Sequence, residues 1–338
     1  MTMTDCASCA DERAAGAAYC EACGRPLADE AVAAAEVAEE RKCPHCGTAG
    51  GIGADGYCEN CGMLAGRPRD HVEADHGLFA AAVTDRGKRH HRNEDAMWLE
   101  VAFDGDGGST AIDVVVCDGV SASFDPDVAS ETAANTAGPL LRESTDVAAA
   151  ILAAKSAVAE LARTGDPRRA ASNPACTIVA ATVRGSEINI GWVGDSRAYW
   201  LPPDGPAEQL TEDDSWATHA IAMGADPQAA MRDPKAHAIT AWLGADAAPV
   251  LPRTAEFAVN GAGHLVLCSD GLWNYLTDPA ELAATVRAHL RANATLIEAA
   301  RGLAEFANAA GGADNITVAL VPVRSAAPEQ APAEQVKE

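Results

Sequence analysis

The sequence has few basic residues, few aromatic residues and no long hydrophobic run. Its 25 Lys and Arg stand against 49 Asp and Glu, which gives a formal net charge of −24. Nucleic-acid binding depends on basic side chains that neutralise phosphates, so this balance argues against a DNA or RNA partner. No apolar run reaches the roughly 18 residues of a membrane span, and the opening MTMTDCASCA does not resemble a secretory signal. We therefore expect a cytoplasmic protein without a membrane or nucleic-acid partner.

Two familiar enzyme motifs are also missing. The sequence contains no Gly-x-x-x-x-Gly-Lys phosphate loop and no Gly-x-Ser-x-Gly nucleophile elbow. This removes the two common enzyme classes that these motifs mark.

Because aromatic residues make up only 4% of the chain, we expect alanine-rich helices and a core built mainly from valine, leucine and isoleucine.

Cysteine is concentrated at the start of the chain, in four Cys-x-x-Cys pairs. Two such pairs can place four thiolates around one zinc ion, and a glycine after the second cysteine suits the positive φ that the turn needs. A chain without a secretory signal argues against disulfides. We therefore predict two small zinc ribbons, each folded around its own structural Zn²⁺. Their ligands are Cys6, Cys9, Cys20 and Cys23 in the first ribbon, and Cys43, Cys46, Cys58 and Cys61 in the second.

The composition divides the chain into segments. Residues 1–70 carry six Lys and Arg against twelve Asp and Glu, which favours a protein partner or a spacer role for the ribbons over a polyanion. The predicted segments are ribbon 1 (1–27), a helical connector (28–42), ribbon 2 (43–66), a linker (67–77), a large domain (78–323) and a disordered tail (324–338).

Three apolar runs of the large domain each end at an aspartate. The stretch AIDVVVCDGVS ends at Asp118-Gly119, HLVLCS leads into Asp270-Gly271, and IGWVG leads into Asp195. The first run is typical of a strand buried on both faces. Asp-Gly taken alone is most often a hairpin turn. Three strands that each deliver an aspartate at the carboxyl end favour one common site.

The remaining elements predict a layered α+β fold. Strands are expected at residues 79–84, 96–101, 177–183, 187–193, 197–201 and 316–323, and helices at 127–142, 146–163, 281–291 and 295–309. A long irregular stretch up to about residue 246 is typical of a flap beside a site. Helices that follow groups of antiparallel-type strands indicate a sandwich and not a βαβ repeat.

Five short phrases, in order, resemble the metal-dependent Ser/Thr protein phosphatases of the 2C type in their bacterial form. They are Asn93-Glu94-Asp95, VCDG at 116–119, GDSRAY at 194–199, CSDGLW at 268–273 and DNIT at 314–317. The resemblance implies an α-β-β-α sandwich of two antiparallel sheets flanked by helices. It also implies a hydrolase that dephosphorylates phosphoserine and phosphothreonine proteins in signalling.

The resemblance further implies a site for two Mg²⁺ or Mn²⁺ ions, with a third, weaker one. Such hard cations prefer carboxylate and carbonyl oxygens and lower the pKa of a bound water. Asp118 would bridge both metals and is the central catalytic residue. The other implied ligands are Asp270 and Asp314 for one metal, Glu94 and the Gly119 carbonyl for the other, Asp95 as a further or supporting ligand, and Asp195 for the third.

The chain departs from the family pattern at its phosphate-binding positions. Where the family has an arginine four residues before the Glu, this chain has His90, flanked by Arg89 and Arg92. Either arginine could bind the phosphate, and we favour Arg92 because it is nearer Glu94. Ala241 also stands where an arginine is common.

The proton donor to the leaving group is a second departure. Some members have a histidine where Val120 stands, and the usual Gly-Gly is replaced by Ser121-Ala122. Metal-bound water or His91 would then have to donate the proton. The alternative function is a catalytically weak, phosphatase-shaped scaffold that binds protein partners through its ribbons.

Overall fold

The computed structural model describes residues 43, 46–53, 56–63, 65–103, 110–247, 251–259 and 261–323. Its contacts divide the chain into two compact units, Met1–Arg67 and Pro68–Glu338. The predicted first ribbon, the helical connector and the disordered tail lie outside the described residues.

The large unit contains two antiparallel sheets. Its strands are β1 (His71–Asp75), β2 (Ala81–Asp85), β3 (Ala96–Phe103), β4 (Thr110–Cys117), β5 (Ala175–Cys176), β6 (Ile178–Arg184), β7 (Glu187–Val193), β8 (Arg197–Leu201), β9 (Glu208–Gln209), β10 (Leu243–Gly244), β11 (Arg253–Ala258), β12 (Gly263–Cys268) and β13 (Ile316–Val323). A six-stranded sheet has the order β1-β2-β13-β12-β8-β9 and a five-stranded sheet the order β11-β7-β6-β4-β3, while β5 pairs with β10.

Five of the eight helices among the described residues cover the outer faces of the sheets. They are α1 (Pro126–Glu143), α2 (Val147–Leu161), α3 (Arg168–Ala171), α4 (Trp216–Ala222), α5 (Pro227–Arg232), α6 (Asp270–Trp273), α7 (Pro279–Ala292) and α8 (Leu296–Ala310), with a 3₁₀ turn at Pro68–Asp70. Helices α6, α7 and α8 pack on the six-stranded sheet, and α1 and α2 on the five-stranded sheet, while α4 and α5 form a small apolar cluster of their own. A third apolar layer lies between the sheets. The predicted α-β-β-α sandwich is confirmed.

Strand β4 shows how the sequence produces these layers. Val114 and Val116 belong to the core between the sheets, whereas Val115 and Cys117 pack against the helices. All four side chains are fully buried. Successive side chains of a strand point to opposite faces, so a strand covered by two layers needs an unbroken apolar run. The predicted strand buried on both faces is confirmed.

Predicted helix caps also occur in the structure. The carboxylates of Asp146 and Asp278 accept backbone N–H bonds at the starts of α2 and α7, and Thr295 forms a capping box with Glu298 at the start of α8.

Within the described part of the chain, no helix combines the length and the apolar character needed to cross a membrane.

The segment predicted as a linker, residues 67–77, contains strand β1. Residues 71–75 pair antiparallel with β2, from His71 opposite Asp85 to Asp75 opposite Ala81. The sequence HVEAD alternates polar and apolar residues but contains only two apolar ones, Val72 and Ala74, and β1 is a largely exposed edge strand. The large unit therefore begins at Pro68 and not at residue 78.

Two further differences concern loops. The flap-like stretch before residue 246 contains the short helices α4 and α5, whose N-caps are Ser215 and Asp226. The corner at Asp195-Ser196 does not join neighbouring strands of one sheet, because β7 belongs to the five-stranded sheet and β8 to the six-stranded sheet. The chain crosses between the sheets at this aspartate.

Candidate functional site

The aspartates that were predicted from separate strands converge at one edge of the sandwich. Asp118 follows β4, Asp270 follows β12 at the start of α6, and Asp314 precedes β13. Burial raises the pKa of Asp118 well above its usual value, and the nearby carboxylates of Asp95, Asp270, Asp195 and Asp314 raise it further. The contacts agree with this arrangement: Asp95 accepts hydrogen bonds from Ser269 and Thr317, which lie within three residues of Asp270 and Asp314 in the chain, and His90 contacts both Glu94 and Asp314.

Two glycines allow this convergence by permitting close backbone approach. A Cβ at Gly119 would lie 2.6 Å from the carbonyl oxygen of Glu94, and one at Gly271 would overlap the carbonyl group of Asn315. Neither glycine has a positive φ. The glycine of each Asp-Gly phrase therefore brings two chain segments into contact, and the hairpin-turn interpretation does not apply.

Glu94 is held by hydrogen bonds along its backbone and side chain. Its N–H donates to Asn315 Oδ1 at 2.7 Å, and its carbonyl accepts from Ser130 Oγ at 2.5 Å. Ser121 Oγ donates to its carboxylate at 2.6 Å. Burial alone would raise the pKa of Glu94, but hydrogen bonds from His90, Ser121 and Arg92 outweigh burial and lower it. The side chain of Glu94 is therefore a charged carboxylate whose position is fixed by hydrogen bonds.

Asp95 is buried behind this edge. One carboxylate oxygen, Oδ2, accepts hydrogen bonds from Ser269 Oγ at 2.8 Å and Thr317 Oγ1 at 2.7 Å. Burial is the main cause that raises its pKa, although the two hydroxyl groups lower it. The other oxygen is available to a ligand or holds a proton.

Unpartnered oxygens in the cluster fit a divalent cation. Among the described residues, Asp95 Oδ1 and Asp270 Oδ1 are buried carboxylate oxygens that receive no hydrogen bond from the protein. Burial and the charge of Asp314 raise the pKa of Asp270 to about 6, although its neighbours Asp118 and Asn274 lower it. Buried acceptors without donors are costly, and an oxygen-only donor set matches Mg²⁺ or Mn²⁺. The residues present therefore fit the metals that the sequence implied.

Asp195 lies where the chain crosses between the sheets. Its carbonyl accepts a hydrogen bond from Trp273 Nε1 at 2.9 Å, and the guanidinium of Arg197 stacks on the same indole, 3.5 Å from the ring centroid. Burial, followed by the charges of Asp270 and Asp213, raises the pKa of Asp195 to about 8. An extra carboxylate at this place adds to the local excess of negative charge, which a cation would neutralise.

The basic residues of the loop before Glu94 differ in whether they contact the carboxylates of the site. Arg92 contacts Glu94 Oε1 at 3.1 Å and Asp127 Oδ1 at 3.0 Å, so it lies at the site. Arg89 and His91 are exposed. His90 lies between Asp314, at 3.1 Å from Nε2, and Glu94, at 3.7 Å from Nδ1.

Sequence reasoning missed the roles of His90, Asn315, Ser269 and Thr317. Asn315 and Ser269 are direct neighbours of predicted site residues, and Thr317 ends a matched phrase three residues after Asp314, so their polar character was the available signal. His90 was noted only as a missing arginine. Its contact with Asp314 joins residues more than 200 positions apart, which no local pattern predicts.

The second predicted ribbon forms a four-cysteine cluster. Cys43 Sγ lies 3.7 Å from Cys61 Sγ, and Cys46 Sγ lies 3.6 Å from Cys58 Sγ. A tetrahedral zinc site with Zn–S bonds of about 2.3 Å separates its sulfurs by about 3.8 Å. The four ligand atoms lie within 4.8 Å of one another. The cluster has the dimensions of a metal site, whereas the predicted ligands Cys6, Cys9, Cys20 and Cys23 lie outside the described residues.

The backbone of this cluster repeats itself in two turns. Gly47 and Gly62 follow Cys46 and Cys61 with φ of 72° and 69°, as predicted for the knuckles. Each glycine N–H donates to the carbonyl of the first cysteine of its pair at 2.8 Å. The turns therefore hold the two thiols of each pair on the same side.

The pKa values of Cys46 and Cys61 are shifted in opposite directions. Hydrogen bonds from Thr48 and Asn60 lower the pKa of Cys46 to about 5. A backbone hydrogen bond from Met63 lowers the pKa of Cys61, but burial and the three other sulfurs outweigh it and raise this pKa to about 12. A metal that used all four sulfurs would have to displace the remaining thiol protons, because thiolates are the ligating form.

Comparisons with known proteins agree with this geometry. The profile described as protein phosphatase 2C matches residues 86–306. The chain is 32% identical over 256 residues to a serine/threonine phosphatase, stp, of Listeria innocua, and the match covers 72% of this chain and 95% of that protein. A solved serine/threonine phosphatase structure from S. agalactiae has a TM-score of 0.58 and 27% identity, covering 75% of this chain and 100% of the other.

A further solved structure is the catalytic domain of the serine/threonine protein phosphatase PstP in complex with two manganese ions. It has a TM-score of 0.57 and 24% identity, with 73% of this chain and 99% of the other covered, and it is similar in fold. The profile match spans well over half of the chain and includes five of the carboxylates that converge here: Glu94, Asp95, Asp118, Asp195 and Asp270. The chain belongs to the protein phosphatase 2C family.

Proposed function

We propose that this protein is a metal-dependent phosphatase that hydrolyses phosphoserine and phosphothreonine esters in proteins. The observation that carries the proposal is the convergence of carboxylates from both sheets, with buried oxygens that receive no hydrogen bond within the described residues. Family membership supplies the reaction class. Phosphate monoesters hydrolyse extremely slowly in water, so catalysis has to come from charge neutralisation and an activated water.

The metal-holding residues are proposed as the sequence assigned them. Asp118 and Gly119 follow β4 of the five-stranded sheet, Asp270 and Asp314 adjoin strands of the six-stranded sheet, and Glu94 precedes β3. When bound, two divalent cations supply a water of lowered pKa and neutralise the phosphoryl oxygens. The fixed backbone contact between Glu94 and Gly119, with the Gly119 N–H donating to the Glu94 carbonyl at 3.1 Å, sets the spacing of these two donors.

The supporting residues act through hydrogen bonds. We propose that Asp95, anchored by Ser269 and Thr317, positions the cluster from behind, and that Asp195 serves a third, weaker cation. Arg92 is the proposed phosphate contact because it lies at the site, whereas Arg89 is exposed.

The cysteine cluster at Cys43, Cys46, Cys58 and Cys61 is proposed to hold structural zinc. Sulfur spacings close to those of a tetrahedral site, and Cys46 held toward its thiolate form by Thr48 and Asn60, support this assignment. We propose that such ribbons select protein partners, and that the protein acts in the cytoplasm in signalling by dephosphorylation.

One experiment separates the phosphatase from the alternative scaffold. The full chain is assayed on a small aryl phosphate and on a phosphoserine peptide, with Mn²⁺ or Mg²⁺ and with a chelator, beside the variants Asp118→Asn and Asp204→Asn. Asp204 is an exposed loop residue and serves as the control. We expect metal-dependent turnover that Asp118→Asn lowers at least a thousandfold, equivalent to several kcal/mol of transition-state stabilisation. Metal-independent turnover, or none in the unaltered chain, contradicts the proposal.

A further inference from the structure

A cleft adjoins the carboxylate cluster on the side of Val120. It lies between the segment after Gly119 and the end of the flap-like stretch, and it has a volume of about 250 Å³. We call it the Trp242 cleft. Its apolar lining consists of Val120, Ala122, Ala175, Ile239 and Trp242, and four polar residues, Asp246 among them, complete the lining.

One wall of the Trp242 cleft is fixed by backbone hydrogen bonds. Val120 N–H donates to the Ala175 carbonyl at 2.9 Å, and Ser123 N–H donates to the Val120 carbonyl at 2.8 Å. Ser123 Oγ accepts from the Ala175 N–H at 3.3 Å. This wall is therefore formed before any ligand binds.

The opposite wall is fixed as well. Ile239 forms a β-bridge with Ser215, and Leu243 pairs with Cys176 in the short two-stranded sheet. Trp242 Nε1 donates to Asp246 Oδ1 at 3.1 Å, which orients the indole ring. A site whose walls are ordered in advance loses little entropy on binding.

The Trp242 cleft lies close to the carboxylates at which the phosphate would bind, because Val120 of its lining follows Asp118-Gly119 directly in the chain. Val120 is two residues from Asp118, so their Cα atoms are separated by at most about 7.6 Å. A phosphoserine whose phosphate lies at the carboxylates therefore brings its chain neighbours to this cleft. Neither of the cleft's large apolar side chains, Ile239 and Trp242, contributes to the metal donor set.

We propose that the Trp242 cleft is a subsite for an apolar side chain one or two residues from the phosphorylated serine or threonine of a protein substrate. The inference rests on the proposed phosphatase function. Aliphatic and indole surfaces favour burial of a leucine-like or phenylalanine-like side chain. Asp246 at the rim disfavours an acidic side chain.

The first test compares phosphoserine peptides that differ at single positions on either side of the phosphoserine, each bearing Leu, Ala, Lys or Asp. The full chain with Mn²⁺ is used, and kcat/KM is measured for each peptide. At one position we expect leucine to exceed alanine by about tenfold, with aspartate lowest, because the subsite buries part of the larger side chain. Equal values for leucine and alanine at every position, or lysine preferred over leucine, overturn the proposal.

The second test removes the cleft's apolar surface with Trp242→Ala and, separately, Ile239→Asp. Met223→Ala is the matched control, since Met223 lies on the flap, is 77% exposed and does not line the cleft. Both cleft variants should abolish the preference for leucine while hydrolysis of a small aryl phosphate stays within about twofold of the unaltered chain. The control should keep the preference.

The aryl phosphate separates this proposal from the proposed function. If the unaltered chain fails to hydrolyse it with Mn²⁺, the phosphatase assignment fails. If aryl phosphate hydrolysis is normal and the leucine preference survives in either cleft variant, only the subsite fails. Loss of aryl phosphate hydrolysis in both variants would also overturn the subsite, because the two side chains would then shape the carboxylate cluster itself.

Discussion

The side-chain oxygen of Asn315 accepts the backbone N–H of Glu94 at 2.7 Å, across 221 positions of sequence. The amide nitrogen of Asn315 donates to the carbonyls of Arg86 and Arg92 at 2.7 and 3.1 Å. One buried side chain therefore ties both ends of the loop that carries Glu94 to the start of β13. The position of Glu94 depends on Asn315.

Replacing Asn315 by alanine should lower both activity and stability. Three hydrogen bonds of a buried group are lost, which costs about 1–3 kcal/mol of unfolding free energy, and kcat/KM for an aryl phosphate should fall about tenfold or more as Glu94 loses its position. The matched control is Asn293→Ala, which removes a single hydrogen bond to His289 at the end of α7. Activity equal to that of the control would show that Glu94 is positioned by other contacts.

The arginine that binds phosphate can be identified by kinetics. A contact made in both ground and transition states raises KM more than it lowers kcat when it is removed. We expect this result for Arg92→Ala, because Arg92 contacts Glu94 and Asp127 at the site, and unchanged kinetics for the exposed Arg89→Ala. The remote Arg163→Ala, whose side chain pairs with Glu160 on the surface, is the control. A KM effect in Arg89→Ala alone would reverse the assignment.

Truncation should separate zinc binding by the ribbons from metal-dependent hydrolysis by the large unit. It also tests whether the large unit begins at Pro68 or at residue 78. A chain beginning at Pro68 should hydrolyse an aryl phosphate as well as the full chain and hold no zinc, whereas the full chain should hold two. A chain beginning at Leu78 lacks β1 and exposes the edge of β2, so its melting temperature should fall by several degrees. Metal analysis, turnover and thermal unfolding measure these outcomes. Loss of turnover in the chain from Pro68 would mean that the ribbons shape the active site.

The ion pair between Glu73 and Arg301 should contribute to acid sensitivity. Hydrogen bonds from Arg301 hold the pKa of Glu73 at about 2 in the folded protein, below its value of about 4.3 in an unfolded chain. This stabilisation is present above about pH 4 and is lost as the pH falls toward 2.

Glu73→Gln should therefore weaken the acid dependence of unfolding between about pH 4 and 2, and cost under about 1 kcal/mol at pH 7, because the pair is exposed and screened. Denaturant unfolding across this range is the measurement, with Glu208→Gln on the surface strand β9 as the control. Parallel curves for Glu73→Gln and the unaltered chain would contradict the expectation.

The sequence predicted the sandwich because its buried strands and its helix caps each have a recognisable local residue pattern. The unbroken apolar run of β4 and the caps at Asp146 and Thr295 carry their own signals. Strand β1 was missed because an exposed edge strand is defined by its partner β2 and not by its own apolar pattern. Short helices such as α4 arise in a segment rich in proline and aspartate, where tertiary contacts override weak propensities.

The candidate site was predictable only in part, for a related reason. Each aspartate at a strand end carries a local signal, and five phrases in order carry a strong one. The contacts of His90 with Asp314 and of Asn315 with Glu94 exist only because distant segments meet. The choice between Arg92 and Arg89 likewise depends on which side chain folds back toward Asp127.

The carboxylates of the site come from both sheets, and this placement links metal binding to the mechanics of the sandwich. Asp118 extends the five-stranded sheet, Asp270 extends the six-stranded sheet, and Asp195 lies on the segment that crosses between them. A cation held by Asp118 and Asp270, as we propose, would join the two sheets at an edge of the layers that are elsewhere joined by apolar contact. Local separation of the layers at this edge then requires release of the cation, so amide hydrogen exchange near the ends of β4 and β12 should slow together as metal is added.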